Sequence, residues 1–163
     1  MKNILLLAVV VFLCSCSGGN KQLLEKLQTA VTSEETGTKG YRTINLAELT
    51  DFEWDTLYYF QEGENPRDIS DVIGIKWDGS DVPGGHSRFL FVKDGQVSSF
   101  TDYDLTEFPL RVFGCNQDRW VYPRERSTFA TFKYCQGDEE LYAFIPEPCL
   151  PNLSELQNSK CPE

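Results

Sequence analysis

The sequence has few of the residues on which most catalytic and metal sites depend. Its 163 residues include one histidine, His86, and no two cysteines in a C-x-x-C spacing. It also lacks the P-loop, G-x-G-x-x-G and G-x-S-x-G motifs. Zinc sites, nucleotide sites and serine hydrolases use those patterns. We therefore expect no cofactor, no metal and no enzymatic activity.

Basic residues are also scarce. The chain has 15 lysine and arginine residues against 25 aspartate and glutamate residues, a net charge of −10 at pH 7. Nucleic-acid binding needs clustered positive side chains, so we expect no nucleic-acid partner. A basic partner protein fits this charge, and so does a solvated acidic surface that keeps the domain soluble.

No apolar run reaches the ~20 residues that a membrane-spanning helix needs. Residues 4–13 form an apolar run of signal-peptide length behind a basic start, and the sequence Leu13-Cys14-Ser15-Cys16 follows. This ending resembles a bacterial lipobox with Cys16 as the lipidated residue, because Cys14 is preceded by a large leucine. We expect residues 1–15 to be a lipoprotein signal peptide. The alternative is an ordinary signal peptide, with Cys16 a spare thiol.

Lipidation would place the protein in the bacterial cell envelope, and in the outer membrane if the bacterium is Gram-negative. Several acyl chains on one cysteine hold a protein stably on a membrane without any transmembrane helix. We expect residues 16–42 to form the lipidated N-terminus, an amphipathic helix and a linker. The helix would span residues 21–31 and lie on its own domain or, as an alternative, on the membrane surface.

Residues 43–163 predict a single α+β domain with a mostly antiparallel sheet and one or two short helices. Asn45 predicts the cap of one helical turn, and Asn65-Pro66 with Gly74 predicts the start and end of another helix. Alternation over residues 52–60 predicts a strand, with the following side chains facing the core: Phe52, Trp54, Thr56, Tyr58 and Phe60.

The dipeptide Asp94-Gly95 lies between two apolar runs and predicts a tight hairpin. Further strands are expected at 75–77, 109–114, 119–122, 127–135 and 140–145, with a turn over 136–139. Prolines 146, 148 and 151 should end the regular structure.

The runs Thr43-Ile-Asn-Leu and Phe52-Glu-Trp-Asp-Thr-Leu-Tyr-Tyr-Phe, followed by Phe89-Leu-Phe-Val-Lys-Asp-Gly, are similar to those of a group of small, uncharacterised bacterial lipoproteins. The resemblance covers roughly residues 43–101. It implies the strand and the hairpin. The group has no established activity, so the resemblance implies no catalytic residue.

Four side chains are candidates for a binding face: Trp54, Tyr58, Tyr59 and His86. Aromatic side chains on a strand can line a sugar or peptide groove, or they can form a core. His86 lies in a glycine-rich loop, where it could be a base, a ligand or a solvated loop residue. Two pairs, Asp78 with Asp81 and Asp102 with Asp104, could hold calcium or make turns.

Four cysteines follow Cys16, and an even number in an exported chain indicates disulfides with three pairings open. Cys115 and Cys135 each end a predicted strand, so we expect them to pair. Cys149 and Cys161 would then tie down the polar tail. Free thiols are the alternative.

The functional hypothesis from sequence is a membrane-anchored, non-enzymatic binding or interaction module of the envelope. In one form it is inhibitor-like or immunity-like and presents an acidic aromatic face to a basic partner. The alternatives are a structural envelope component and a hydrolase that uses His86.

Overall fold

Two four-stranded sheets organise the described part of this chain. The structure, a computed structural model, describes residues 19–33, 40–115, 120–152 and 161. The predicted signal peptide and Cys16 lie outside the described residues. The helices are α1 Lys21–Thr32, α2 Leu46–Leu49 and α3 Pro66–Ile73, with 3-10 turns η1 Arg124–Arg126 and η2 Glu147–Asn152. The strands are β1 Arg42–Asn45, β2 Thr56–Phe60, β3 His86–Lys93, β4 Gln96–Asp104, β5 Leu110–Val112, β6 Val121–Pro123, β7 Thr128–Gln136 and β8 Glu139–Pro146.

The two sheets differ in strand direction, because one of them contains a parallel pair of strands. The first sheet has the order β4-β3-β2-β6 and is antiparallel throughout. The second has the order β1-β7-β8-β5, in which β5 runs parallel to β8. The described residues form a single α+β domain of two mostly antiparallel sheets, which confirms the predicted fold class.

An aromatic core joins the two sheets. Phe89 of β3 packs against Phe144 of β8, with ring centroids 6.2 Å apart, and Phe144 stacks on Phe129 at 4.2 Å. Helix α1 belongs to the same core, because Leu23, Leu27 and Val31 are buried in it. The predicted helix is thus confirmed, and the predicted boundary at residue 42 does not separate it from the rest of the domain.

The first sheet is covered on its outer face as well. Helix α3 packs Ile69 and Ile73 on the first sheet. As predicted, Asn65 caps α3 and Gly74 ends it in a left-handed conformation with φ 72°. Val72 lies on the other side of the helix and is 52 % exposed.

The predicted core face of the strand at 52–60 is correct for Phe52 and Trp54, which pack in the core between the sheets, and wrong for Thr56, Tyr58 and Phe60. Regular strand begins only at Thr56, and Leu57 and Tyr59 face the core between the sheets. Tyr58 and Phe60 point to the opposite side, under α3. Both faces of this strand are buried, so alternation could not identify the inner one.

Two further sequence predictions, a hairpin and a short strand, have opposite outcomes. The hairpin is confirmed, because β3 and β4 are joined by Asp94 and Gly95 with φ of 47° and 72°, as a type I′ turn requires. The predicted strand at 75–77 is wrong, since these residues lie in the irregular segment after α3.

The predicted disulfide pairing is also wrong. The bonds are Cys115–Cys149 and Cys135–Cys161, with Cα separations of 5.2 and 4.8 Å. Strand β8 separates β5 from β7, which places those two strands roughly 9–10 Å apart, beyond the ~7 Å limit for a disulfide. Because β5 runs parallel to β8, Cys115, which follows β5, lies beside the end of β8 and near Cys149. Cys135, near the end of β7, lies opposite the first residues of β8.

Candidate functional site

The four predicted binding residues do not form one exposed face. Trp54 is fully buried, and its indole nitrogen donates to the Thr50 hydroxyl at 2.9 Å. The Arg124 guanidinium lies 5.1 Å from the centroid of its ring. Trp54 is therefore a core residue, because nothing outside the protein can reach it.

Tyr58 and Tyr59 are neighbours on β2 and therefore point to opposite faces of the sheet. Tyr58 stacks on Phe60 beneath α3. Tyr59 is 6 % exposed, packs against Trp120 and Phe89, and lines a cavity. Of the two tyrosines, Tyr59 alone lines that cavity.

His86 is the first residue of β3 and lies away from that cavity. Its Nδ1 is 3.0 Å from the Gly84 carbonyl oxygen, and its Nε2 is 4.0 Å from Oδ2 of Asp104, the residue opposite it on β4. Hydrogen bonds from the Thr106 hydroxyl and backbone lower the pKa of Asp104, and His86 adds a smaller effect. Ser87, next along the strand, points to the other face, so the histidine is not positioned to take its proton.

The cavity has a volume of about 570 Å³ and is lined by residues of both sheets. Its walls include Tyr59 and Ser87 of the first sheet and Arg111, Val112 and Tyr134 of the second. Glu62, in the segment after β2, also lines it, and its carboxylate accepts a hydrogen bond from the Gly85 backbone N–H at 2.6 Å.

Buried hydroxyl groups lie on the first-sheet side of this cavity. Tyr59 and Ser87 share a hydrogen bond of 3.1 Å, and the Tyr103 hydroxyl donates to the Leu110 carbonyl oxygen at 3.2 Å. Burial raises the pKa of Tyr103 well above its usual value, and Tyr59 raises it further. Tyr103 is therefore a protonated hydrogen-bond donor at physiological pH.

Arg111 provides the positive charge on the other side. It is exposed on β5 between the buried Leu110 and Val112. Among the described residues its guanidinium forms no hydrogen bond or ion pair. Burial raises the pKa of Tyr134, and Arg111 partly offsets that effect, as expected of a cation close to the phenol. The cavity thus combines hydroxyl groups and an apolar wall with two charged side chains, Arg111, which forms no ion pair with a described carboxylate, and Glu62, whose carboxylate is bonded to the Gly85 backbone N–H.

The two aspartate pairs that could have held calcium instead contribute carboxylates to ion pairs. Asp102 binds the guanidinium of Arg88 with both oxygens, and Asp78 pairs with Lys76 at 2.6 Å. Within residues 19–33, 40–115, 120–152 and 161, no group of three His, Cys, Asp or Glu side chains could hold a metal ion.

No helix in the described part of the chain is both long and apolar enough to cross a membrane.

Comparisons with protein families, with curated proteins and with solved structures find no match for this chain.

Sequence reasoning missed most of the cavity. Ser87, Arg111, Tyr134 and Glu62 come from four separate segments, and none belongs to a motif. A lone arginine between apolar residues in the run Leu110-Arg111-Val112 was the available signal, since an apolar strand rarely carries a charge without a reason.

Proposed function

We propose that this protein is a membrane-anchored lipoprotein of the bacterial cell envelope whose domain is a non-enzymatic binding module. Residues 1–16 support the anchor, and the cavity beside Arg111 is the observation that carries the binding role. A structural component needs no such cavity. Pockets of 300–1,000 Å³ with apolar walls and a few polar groups are typical ligand sites.

The chemistry of the walls defines the ligand class. The guanidinium of Arg111 suits a carboxylate or another anionic group, which it can bind in a bidentate manner. Val112 and Tyr134 provide an apolar surface. The Tyr59 and Ser87 hydroxyls can bind a further polar group. The ligand is therefore a small anionic compound, or the carboxyl end of a peptide, with an apolar body.

Local geometry supports binding without chemistry. A serine nucleophile needs a general base within hydrogen-bond reach. The hydrogen-bond partner of Ser87 is the Tyr59 hydroxyl, which is neither an imidazole nor a carboxylate base. The hydrolase alternative requires His86, which is on the opposite face of β3.

The anchor is tested by metabolic labelling of cells with a palmitate analogue. The native chain should carry the label and appear in membranes, whereas Cys16→Ala should be unlabelled and accumulate as precursor. Label that persists in Cys16→Ala would place the lipid elsewhere and contradict the assignment.

The binding role is tested by two-dimensional amide NMR of the protein with a panel of aliphatic and aromatic carboxylates and short peptides. We expect members of the panel to shift the amide signals of Ser87, Arg111 and Val112. Arg111→Gln should abolish the shifts, while Arg126→Gln, an exposed arginine of η1 outside the cavity, should leave them intact. Equal binding by both variants, or no binding by any member, would contradict the proposal.

A further inference from the structure

The described chain is fixed to the first sheet from its first residue. Gly19 forms a β-bridge with Thr101 of β4, and the backbone N–H of Asn20 donates to the Phe100 carbonyl oxygen at 2.6 Å. The Asn20 side chain also accepts from the Leu23 backbone N–H as the cap of α1, and its amide donates to the Ser99 hydroxyl. The start of α1 and the edge strand β4 are thereby joined.

Gly19 is suited to this close attachment. Its φ is +78°, a conformation that side chains disfavour, and an added Cβ would overlap the Phe100 carbonyl oxygen. Replacement of this glycine by a larger residue would therefore separate the chain from β4.

The attachment limits the distance between the domain and the predicted lipid. Three residue steps separate Cys16 from Gly19. A fully extended chain covers at most ~3.6 Å per residue, so the Cα atoms of Cys16 and Gly19 are within about 11 Å of each other in any conformation. An acylated Cys16 at the bilayer surface therefore brings this end of the β4 edge close to the headgroups.

The groove beside this point is lined by uncharged residues, although the chain as a whole is acidic and Lys21, next to Asn20, is exposed. An open groove of about 440 Å³ lies beside Gly19 and Asn20, and its other walls are Trp77, Val97, Ser99 and Phe100 with Ser98. None of these side chains is ionisable. Uncharged side chains are tolerated at a membrane interface, whereas carboxylates are repelled by anionic headgroups.

We propose that the groove and the edge of β4 contact the headgroup layer of the bilayer, so that the domain lies against the membrane in one fixed orientation. This inference rests on the proposed lipidation of Cys16. The short connection and the uncharged groove support it independently of each other. The partner is the lipid surface itself.

The test uses the full-length lipidated protein in liposomes that contain lipids with a spin label near the headgroup. A fluorescent label is attached at Ser98→Cys, which is exposed in the groove, and in a second protein at Asp138→Cys, which is exposed in the β7–β8 turn of the other sheet. We expect several-fold stronger quenching at position 98. Equal quenching at both positions, with the acyl group present, would overturn the orientation and leave the proposed lipoprotein intact.

Two further variants separate the tether from the fold. Ten Gly and Ser residues inserted between Ser17 and Gly18 leave the domain unchanged and should reduce quenching at position 98 to the level at position 138. Gly19→Ala should act in the same direction by detaching the chain from β4. Quenching that does not change with the spacer would overturn the role of the short tether. If the purified full-length protein is found to carry no acyl group, both the orientation and the proposed lipoprotein function are wrong.

Discussion

The replacement Arg88→Met tests how much the irregular segment after α3 depends on one buried ion pair. Arg88 is fully buried on β3, and its Nε and Nη2 donate to the two oxygens of Asp102 at 2.6 and 2.8 Å. Its remaining hydrogen bonds go to the carbonyl oxygens of Ser80 and Asp81 and to the Ser80 hydroxyl. One side chain thus holds the loop to the sheet.

Methionine retains the apolar stem but leaves the Asp102 carboxylate and the Asp81 carbonyl without the Arg88 donor, while the Ser80 carbonyl keeps only its bond from the Trp77 indole N–H. Removal of one partner of a buried pair costs about 3–5 kcal/mol. The rings of Trp77 and Phe100, whose centroids are 5.3 and 5.0 Å from the guanidinium carbon, also lose a cation. A domain of this size loses about 2–4 °C per kcal/mol, so the melting temperature should fall by ~6–20 °C.

Urea unfolding with the disulfides intact measures the effect, and Lys26→Met is the control. Lys26 forms an ion pair with Asp51 at 3.1 Å on the surface, so its loss should cost about 0–1 kcal/mol. The double variant Arg88→Met/Asp102→Leu should recover much of the lost stability, since it removes the unpaired buried charge. A cost below about 1 kcal/mol for Arg88→Met, or a double variant as unstable as the summed single variants, would refute the reasoning.

Three further predictions concern a disulfide, a carboxylate and a turn. Simultaneous replacement of Cys115 and Cys149 by Ala should lower the free energy of unfolding by about 4 kcal/mol on the chain-entropy model, and peptide mapping without reduction should recover this pair from the native protein. The pKa of Asp55 is lowered by the Asp94 backbone N–H and by Lys93, so its contribution to stability should be present above the unfolded value near 3.9 and disappear as the pH falls below that value. The urea midpoints of Asp55→Asn and native protein should therefore converge in acid, and a difference that stays constant with pH would contradict this. Gly95→Ala, at φ 72° in the hairpin turn, should lower the free energy of unfolding by about 1 kcal/mol, whereas the same change at Gly84, which has open space and no positive φ, should have little effect.

Features set by neighbouring residues were predicted correctly from the sequence. The Asp94-Gly95 turn, the Asn65 cap of α3 and the amphipathic α1 each depend on a few adjacent side chains, and each is present. Their physical causes are local hydrogen bonds and φ preferences, which do not depend on the rest of the fold.

Features set by distant parts of the chain were not predictable in this way. The inner face of β2 was misassigned because α3 buries its other face as well. The disulfide pairing depends on the parallel placement of β5 beside β8, for which no local pattern exists. The cavity is similar: Tyr59 and Arg111 become neighbours only when the two sheets pack. Lipidation of Cys16 stays a prediction.

The order of the cysteines along the chain has a consequence for how the protein matures. The two bonds interleave, because each encloses one cysteine of the other. If the chain is exported from its N-terminus, as proposed, Cys115 and Cys135 meet an oxidant before Cys149 has arrived, and the first bond available is a non-native one. Correct pairing requires that oxidation waits until β8 separates these two residues, or that a thiol exchanges the bond afterwards. Maturation of this protein should therefore depend on a disulfide isomerase more strongly than that of a chain whose cysteines pair in sequence order.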